Sequence, residues 1–448
     1  MADVAPFRGL RYNRESIPEL AEVVIPPYDV ISPEEQKIFN DRSPYNMIRL
    51  ELGMAFPGDT PEENPHTRAA AFIGQWEHQR ILVRDPKPAI YLCELDYRSG
   101  SDTVKTRNGF ICALKLEEFS GGKVRPHEKT FQAIKDERLS LMLACHANLS
   151  PVFGLYSDPE NQVQATLEAH REGAGTVSFT DYANMTHRLT PVTDPGVIDR
   201  VRSLMDEKAI FIADGHHRYE TALNYRNLMR ERFGSGNPQS SFEYVMVYLA
   251  AMEQCGLTIL PTHRLLRNLV DWDPAAFIKK AEDCFRIEHF NTSNGGELKW
   301  KNAIRSGGVR QELTIGFYCK ASGCVYVLTA KPEAVLPLLE KKGIAEPLRT
   351  LDVVVLDQIV LRDLLGLSES FLASERNISF IHDFSEALDS VRSGRFDAGF
   401  FINPTRMEQV REVASAGHVM PHKSTYFYPK VISGLVVNPL SPYEEIFC

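Results

Sequence analysis

The chain has 448 residues, 43% of them hydrophobic and 24% charged, with a formal net charge of −9 and a pI near 5.9. That length exceeds what one hydrophobic core usually supports, so two domains are expected. An acidic balance argues against a broad nucleic-acid groove. No run approaches the ~20 apolar residues that span a bilayer, and Met1–Leu10 lacks an apolar stretch of signal-peptide length. The eight cysteines are scattered without a Cys-x-x-Cys pair, which leaves a zinc ribbon or disulfide framework unsupported. A cytoplasmic protein with no nucleic-acid or membrane partner is the simplest expectation.

In chain order, Pro26, Pro27 and Pro33 stiffen an early loop. Ser32-Pro33-Glu34-Glu35 reads as a helix start with Ser32 as N-cap. Residues 65–79 read as a helix, and 89–97 and 106–116 as strands of a hairpin around Arg98-Ser99-Gly100-Ser101. A polar junction at 125–130 precedes a helix over about 133–147. Strands are expected at 152–156 and 187–191, and a helix at 198–208. The apolar run 209–213 reads as a buried strand. Gly215 then turns the chain, and Ala222, Tyr225 and Met229 recur at helical spacing. Gly234-Ser235-Gly236-Asn237-Pro238 is the clearest break, followed by an apolar strand at 244–252. Residues 257–260 read as a strand ending in Pro261. Paired strands at 313–318 and 325–328, a helix over 352–365, a strand at 397–402 and a helix at 405–416 complete the pattern. The fold class is α/β (mixed α+β) in two domains, an N-terminal one over 1–236 and a C-terminal one over 237–448 contributing to a shared cleft.

The most informative segment is Asp214-Gly215-His216-His217-Arg218. A strand, a glycine turn and a helix start aim the first helical amides and the dipole at an anion. Arg218 adds paired donors for phosphate or carboxylate. Gly215, His216, His217 and Arg218 therefore form a candidate phosphate cradle, and Asp214 is a candidate Mg²⁺ ligand. His127-Glu128-Lys129-Thr130 reads equally as a helix-capping surface turn or as a catalytic group. In the second reading Glu128 is a general base, with His127 beside it and His217 as a further catalytic candidate, while Lys129 and Thr130 serve the phosphates. His263-Arg264, after the 257–260 strand, and His422-Lys423 in a hydroxyl-rich turn read either as solvated loops or as substrate-binding residues from the second domain.

Five blocks resemble one conserved family: Pro26–Ile31, Pro126–Thr130, Ala213–Leu223, Pro261–Arg264 and Met420–Thr425. The chain resembles, over nearly its whole length, the bacterial and archaeal family called domain of unknown function one thousand and fifteen. Gly215-His216-His217-Arg218 is also similar to the Gly-x-His-Arg phosphate motif of the ParB and sulfiredoxin superfamily, which implies a nucleotide-binding core. Sulfiredoxins carry a cysteine before their His-Arg pair, where this chain has His216. Some members of that superfamily are free-serine kinases, in which a glutamate is the base, and this resemblance raises Glu128.

Three functions compete. The first is a nucleotide-dependent phosphotransferase acting on a small hydroxyl compound, with ATP or ADP as co-substrate and Mg²⁺ as cofactor. The second is a metal-dependent hydrolase with His127, Asp214, His216 and His217 as ligands. The third is a non-catalytic nucleotide or anion sensor.

Overall fold

The structure, a computed structural model, describes residues 2–98, 103–128, 130–171, 175–234, 237–292, 295–320, 324–441 and 443–446. The class is mixed α/β, as expected. Two compact units are present. The first comprises residues 1–126, 130–258 and 429–448, and the second 127–129 and 259–428.

The first unit is built on a nine-stranded sheet. Its order is Val124–Arg125, Ile210–Asp214, Val152–Tyr156, Tyr244–Ala251, Val104–Lys115, Ile90–Arg98, Thr186–Val192 and Val177–Thr180, with Val4–Ala5 also paired to Val104–Lys115. The expected hairpin strands pair antiparallel, Tyr91 opposite Ile111 and Arg98 opposite Val104. Their turn, Ser99–Ser101, lies outside the described residues. Tyr244–Ala251 runs between Val152–Tyr156 and Val104–Lys115. All eight of its residues are buried, as an apolar central strand covered on both faces requires. The boundary expected at 236/237 therefore falls inside this unit, since the strand after it is central to the sheet. The helices Gln132–Cys145 and His216–Phe233 pack together, and Tyr219, Ala222, Tyr225 and Met229 enter the core with Ile210 and Ile212.

Local signals explain the helix starts. Ser32 and Glu35 form the reciprocal capping box that the sequence predicts, with Pro33 in the first helical turn. Asn64 caps Pro65–His78.

The second unit holds a six-stranded antiparallel sheet. Its order is Phe285–Asn291, Cys324–Ala330, Thr314–Cys319, Ala398–Ile402, His263–Leu266 and Ile378–Ile381. Residues 263–266 form a strand paired on both sides, so of the two readings of His263 and Arg264 the solvated loop does not hold. The 352–365 helix is present, but Leu356–Leu364 is wound as a π-helix. Trp300 of the helix Gly296–Val309 is fully buried against Phe384 and Phe401, and its indole N–H donates to the Tyr326 carbonyl at 2.8 Å. Among the described residues no helix is long and apolar enough to cross a membrane.

Trp300→Ala removes this anchor. We expect a loss of ~3–5 kcal/mol, read as a lower denaturation midpoint of the second unit. An unchanged midpoint would show that Trp300 is not the packing centre of this sheet.

Candidate functional site

The strand Ile210–Asp214 ends at its own irregularity. Its register against Val152–Tyr156 shifts between Ile212 and Asp214, and Gly215 follows with φ +85°. That left-handed geometry suits glycine. A Cβ there would also stand 2.8 Å from Arg218 Nε, because Arg218 folds back across the turn. Gly215 is the N-cap of the helix His216–Phe233 that begins here and has no side chain to cap it.

Asp214 lies between two cations. Arg218 Nη2 donates to it at 2.7 Å, and Lys430 Nζ donates to its other oxygen. All three side chains are only 10–13% exposed. The second arm of Arg218 donates to the Pro151 carbonyl. Burial opposes its charge, but Asp214, Asp29, Tyr28 and Glu51 outweigh that and raise its pKa. The cation is therefore permanent.

Arg218 also borders a cavity of about 50 Å³ shared with Glu51, Arg138, Ser150 and Thr221. Glu51 is buried and accepts from the Ser150 hydroxyl at 2.8 Å. Burial raises its pKa, against the pull of Arg138 and Arg218. Arg138 donates to the Glu51 carbonyl at 2.8 Å and stacks its guanidinium 4.2 Å from the Tyr28 ring centre. Tyr28 stays neutral, because burial and the adjacent Asp29 raise its pKa. Three residues lining this cavity each carry a buried polar atom, Glu51 Oε2, Arg218 Nε and Thr221 Oγ1, with no protein partner among the described residues. Orphans of this kind mark ordered water or a ligand group.

The other residues of the motif dock the helix start. His217 Nε2 accepts from the Phe131 amide at 2.9 Å and the two rings stack, which places the neutral ring's proton on Nδ1. His216 is buried. Thr130, expected at the phosphates, donates instead to Glu220 at 2.9 Å. Glu220 also pairs with Lys135 at 2.7 Å. Lys129 lies outside the described residues.

The remaining expected residues gather in the second unit. Glu128 forms a parallel bridge with Met420, whose amide donates to the His127 carbonyl at 2.7 Å. The Glu128 carboxylate accepts from the Lys423 amide at 2.9 Å. Lys423 is itself left-handed, with φ +56°. Arg264 donates to the carbonyls of Thr262, His422 and Lys423 and stacks on Phe380. Burial lowers its pKa to about 10, against the pull of Asp357 and Glu128. His127 is fully buried, its Nε2 2.9 Å from the Thr425 hydroxyl. His422 meets Phe380 edge-on. The blocks 127–128, 262–264 and 420–425 thus converge, with Arg264 and Glu128 holding the 421–425 turn.

A resident metal does not fit these residues. Asp214 already compensates two cations, and His217 Nε2 is engaged by a backbone amide. Among the described residues no three His, Cys, Asp or Glu side chains are grouped as a metal site, so the hydrolase reading lacks its ligand set. Lys430, Glu51 and Arg138 escaped the sequence reading. Each is distant in sequence from the motif, and a lone Lys, Glu or Arg carries no local signal.

Gly215→Ala forces an L-residue into the left-handed region and pushes its Cβ onto Arg218. We expect a loss of at least ~1–2 kcal/mol, seen as a lower thermal midpoint. Equal stability of variant and parent would mean the turn is not built as described.

No curated protein matches the sequence. Solved structures to which the chain is similar include a conserved hypothetical protein from Pyrococcus furiosus, 13% identical, covering 70% of this chain and 92% of that one at a TM-score of 0.33. A free serine kinase in complex with ADP is 11% identical and covers 74% and 90% at 0.34. SbnI with a C-terminal truncation, from Staphylococcus aureus, is 10% identical and covers 74% and 87% at 0.36. TM-scores this low leave the chemistry of this chain to its own residues. The model of one family, described as protein of unknown function (DUF1015), matches residues 4–354, and the chain belongs to that family.

Proposed function

We propose that the protein is a nucleotide-dependent phosphotransferase acting on a small hydroxyl compound, with its phosphate cradle at Gly215–Arg218. The observation that carries this reading is the make-up of the turn. Arg218 and Lys430 both bond Asp214 at the start of an 18-residue helix whose N-cap is a glycine. The two cations and the helix dipole favour an anion at that point. The likeness of Gly215–Arg218 to a nucleotide-phosphate motif makes ATP or ADP the donor of choice. The polar cavity with its three orphaned atoms offers donors and an acceptor to a small polar molecule. Mg²⁺ enters as the counter-ion of the nucleotide, since Asp214 is held by its two cations.

Arg218→Lys keeps the charge and loses the forked donor, with less damage to the buried ion pair than truncation would cause. Calorimetry on the wild type should detect ATP or ADP. Arg218→Lys should weaken that binding by ~1.5–3 kcal/mol, roughly tenfold to more than a hundredfold in Kd. Wild-type protein that binds neither nucleotide, or an equal Kd for the folded variant, would remove the cradle. Binding without turnover of any hydroxyl acceptor would leave a sensor.

Glu128 is proposed as the base that takes the acceptor proton, a role worth ~10²–10⁴ in rate. Its carboxylate also holds the Lys423 amide, so Glu128→Gln needs two readouts. We expect turnover to fall by at least ~10² while nucleotide affinity and melting temperature stay near the parent's. A lowered melting temperature with normal turnover would assign Glu128 to the 421–425 turn alone.

A further inference from the structure

The second unit contains a cavity of about 570 Å³, within the range that encloses small-molecule ligands. Its walls come from the helix Gly296–Val309, the strand end at Ile402 and the 403–406 segment, and residues 259–263. We infer that this cavity binds a small organic acid, an aliphatic or aromatic carboxylate whose apolar body lies against Ile259, Leu260, Ile304 and Phe384 and whose anionic head meets His263 and Arg406. The inference stands apart from the phosphate cradle, with which it shares no residue.

His263 is the central observation. It is 2% exposed and wedged against the rings of Phe384 and Phe401. Its Nδ1 accepts from the Ile402 amide at 3.3 Å. Burial, helped by the neighbouring Arg264, depresses its pKa to about 3, so the ring is neutral at ordinary pH. One nitrogen accepts, so the other, Nε2, carries the proton. That buried donor has no protein partner among the described residues, and His263 lines the cavity. An unmet buried donor costs ~1–3 kcal/mol, which an acceptor in the cavity recovers.

Charge decides the sign of the ligand. Lys301, Arg305 and Arg406 line the cavity, and none forms an ion pair among the described residues. Lys301 lies over the Phe384 ring, 4.8 Å from its centre. The two wall carboxyls offset them only in part, Asp352 acting on Arg406. Glu312 is engaged by Arg310 at 2.8 Å and Arg286 at 3.7 Å. Asp352 is buried, accepts from the Thr314 amide and the Asn403 amide side chain, and is pushed up to about 7 by burial. An aspartate raised in this way repels a neighbouring carboxylate less than an ordinary one would. With one imidazole donor and cations spread round the wall, a single carboxylate suits the site better than a phosphate dianion, which needs a dense cluster of donors.

The test uses the full chain. Saturation-transfer NMR and thermal shift would be run with butanoate, octanoate, decanoate and 3-phenylpropionate, against 1-octanol and 3-phenylpropanol as neutral counterparts. We expect at least one acid to bind and its alcohol to bind roughly tenfold more weakly or not at all. Arg406→Gln and His263→Gln should each weaken the acid by roughly tenfold, and Arg218→Lys should leave it unchanged. Arg406 is only partly buried, so its variant decides the matter should His263→Gln fail to fold. Failure of every acid to bind, equal affinity for acid and alcohol, or full affinity in Arg406→Gln would overturn the inference. A loss in Arg218→Lys would overturn its independence from the cradle.

Discussion

One carboxylate organises the first unit. Asp214 is bonded to Arg218, four residues on, and to Lys430, far along the chain. At this degree of burial none of the three charges is tolerable alone. Removing one partner of a buried pair leaves an uncompensated charge, which typically costs ~3–5 kcal/mol. Much of the local fold follows from keeping them together. The strand must end at Asp214 and the chain must reverse at once, which requires Gly215. The helix must then begin so that Arg218 returns over that glycine and reaches the Pro151 carbonyl, beside the neighbouring strand. The last segment of the chain must also return to deliver Lys430. It does so with further ties: Ser433 bridges Ile25, Val437 bridges Leu10, and Asn438 pairs with Asn148.

Around that carboxylate the charges alternate. Arg218 is followed by Glu51, Glu51 by Arg138, and Arg138 by the face of Tyr28. Each cation lowers the cost of burying the adjacent anion, and the double-proline loop fixes the aromatic face at the end of the series. Unpartnered buried atoms occur in both units, and three of them, Glu51 Oε2, Arg218 Nε and Thr221 Oγ1, belong to residues round one small cavity. In a low-dielectric setting such atoms are expensive unless something meets them.

The strand, turn and helix at 210–233 were legible because each step leaves a local mark: a short apolar run, a glycine, then periodic apolar residues. The capping box at Ser32–Glu35 was legible for the same reason. The long-range partners were not. Lys430 stands in a segment with no pattern pointing back to Asp214, and Glu51 looks like any surface glutamate. His263-Arg264 misled in the opposite direction. Polar residues after a proline read as a solvated end, yet the strand there is paired on both sides and Arg264 is buried. What escaped the sequence is that a guanidinium can be held by carbonyls and an aromatic face rather than by water. The division of the chain was hidden likewise, since Gly234 to Pro238 marks a loop, while the boundary after Thr258 depends on which sheet the strand Tyr244–Ala251 joins. Lys129 cannot be compared, as it lies outside the described residues.

Arg218 and Arg264 show how one residue type in similar sequence blocks is set to different tasks. Both are buried, and each donates to backbone carbonyls. Arg218 has a carboxylate at 2.7 Å and acidic neighbours that raise its pKa, so its charge is secure. One of its donors, Nε, has no partner among the described residues. Among the described residues Arg264 has no carboxylate in bonding contact. Its terminal nitrogens are taken by three carbonyls, and burial draws its pKa down to about 10. A guanidinium in that state is already spent on fixing the 421–425 turn, together with Glu128 on the Lys423 amide. An anion arriving there would have to compete with bonds that hold the backbone in place, whereas the Gly215 turn sets two cations, Arg218 and Lys430, at a helix start. On the proposed reading the two arginines divide as anion receptor and backbone clamp, and the division rests on what each one faces rather than on the letters around it.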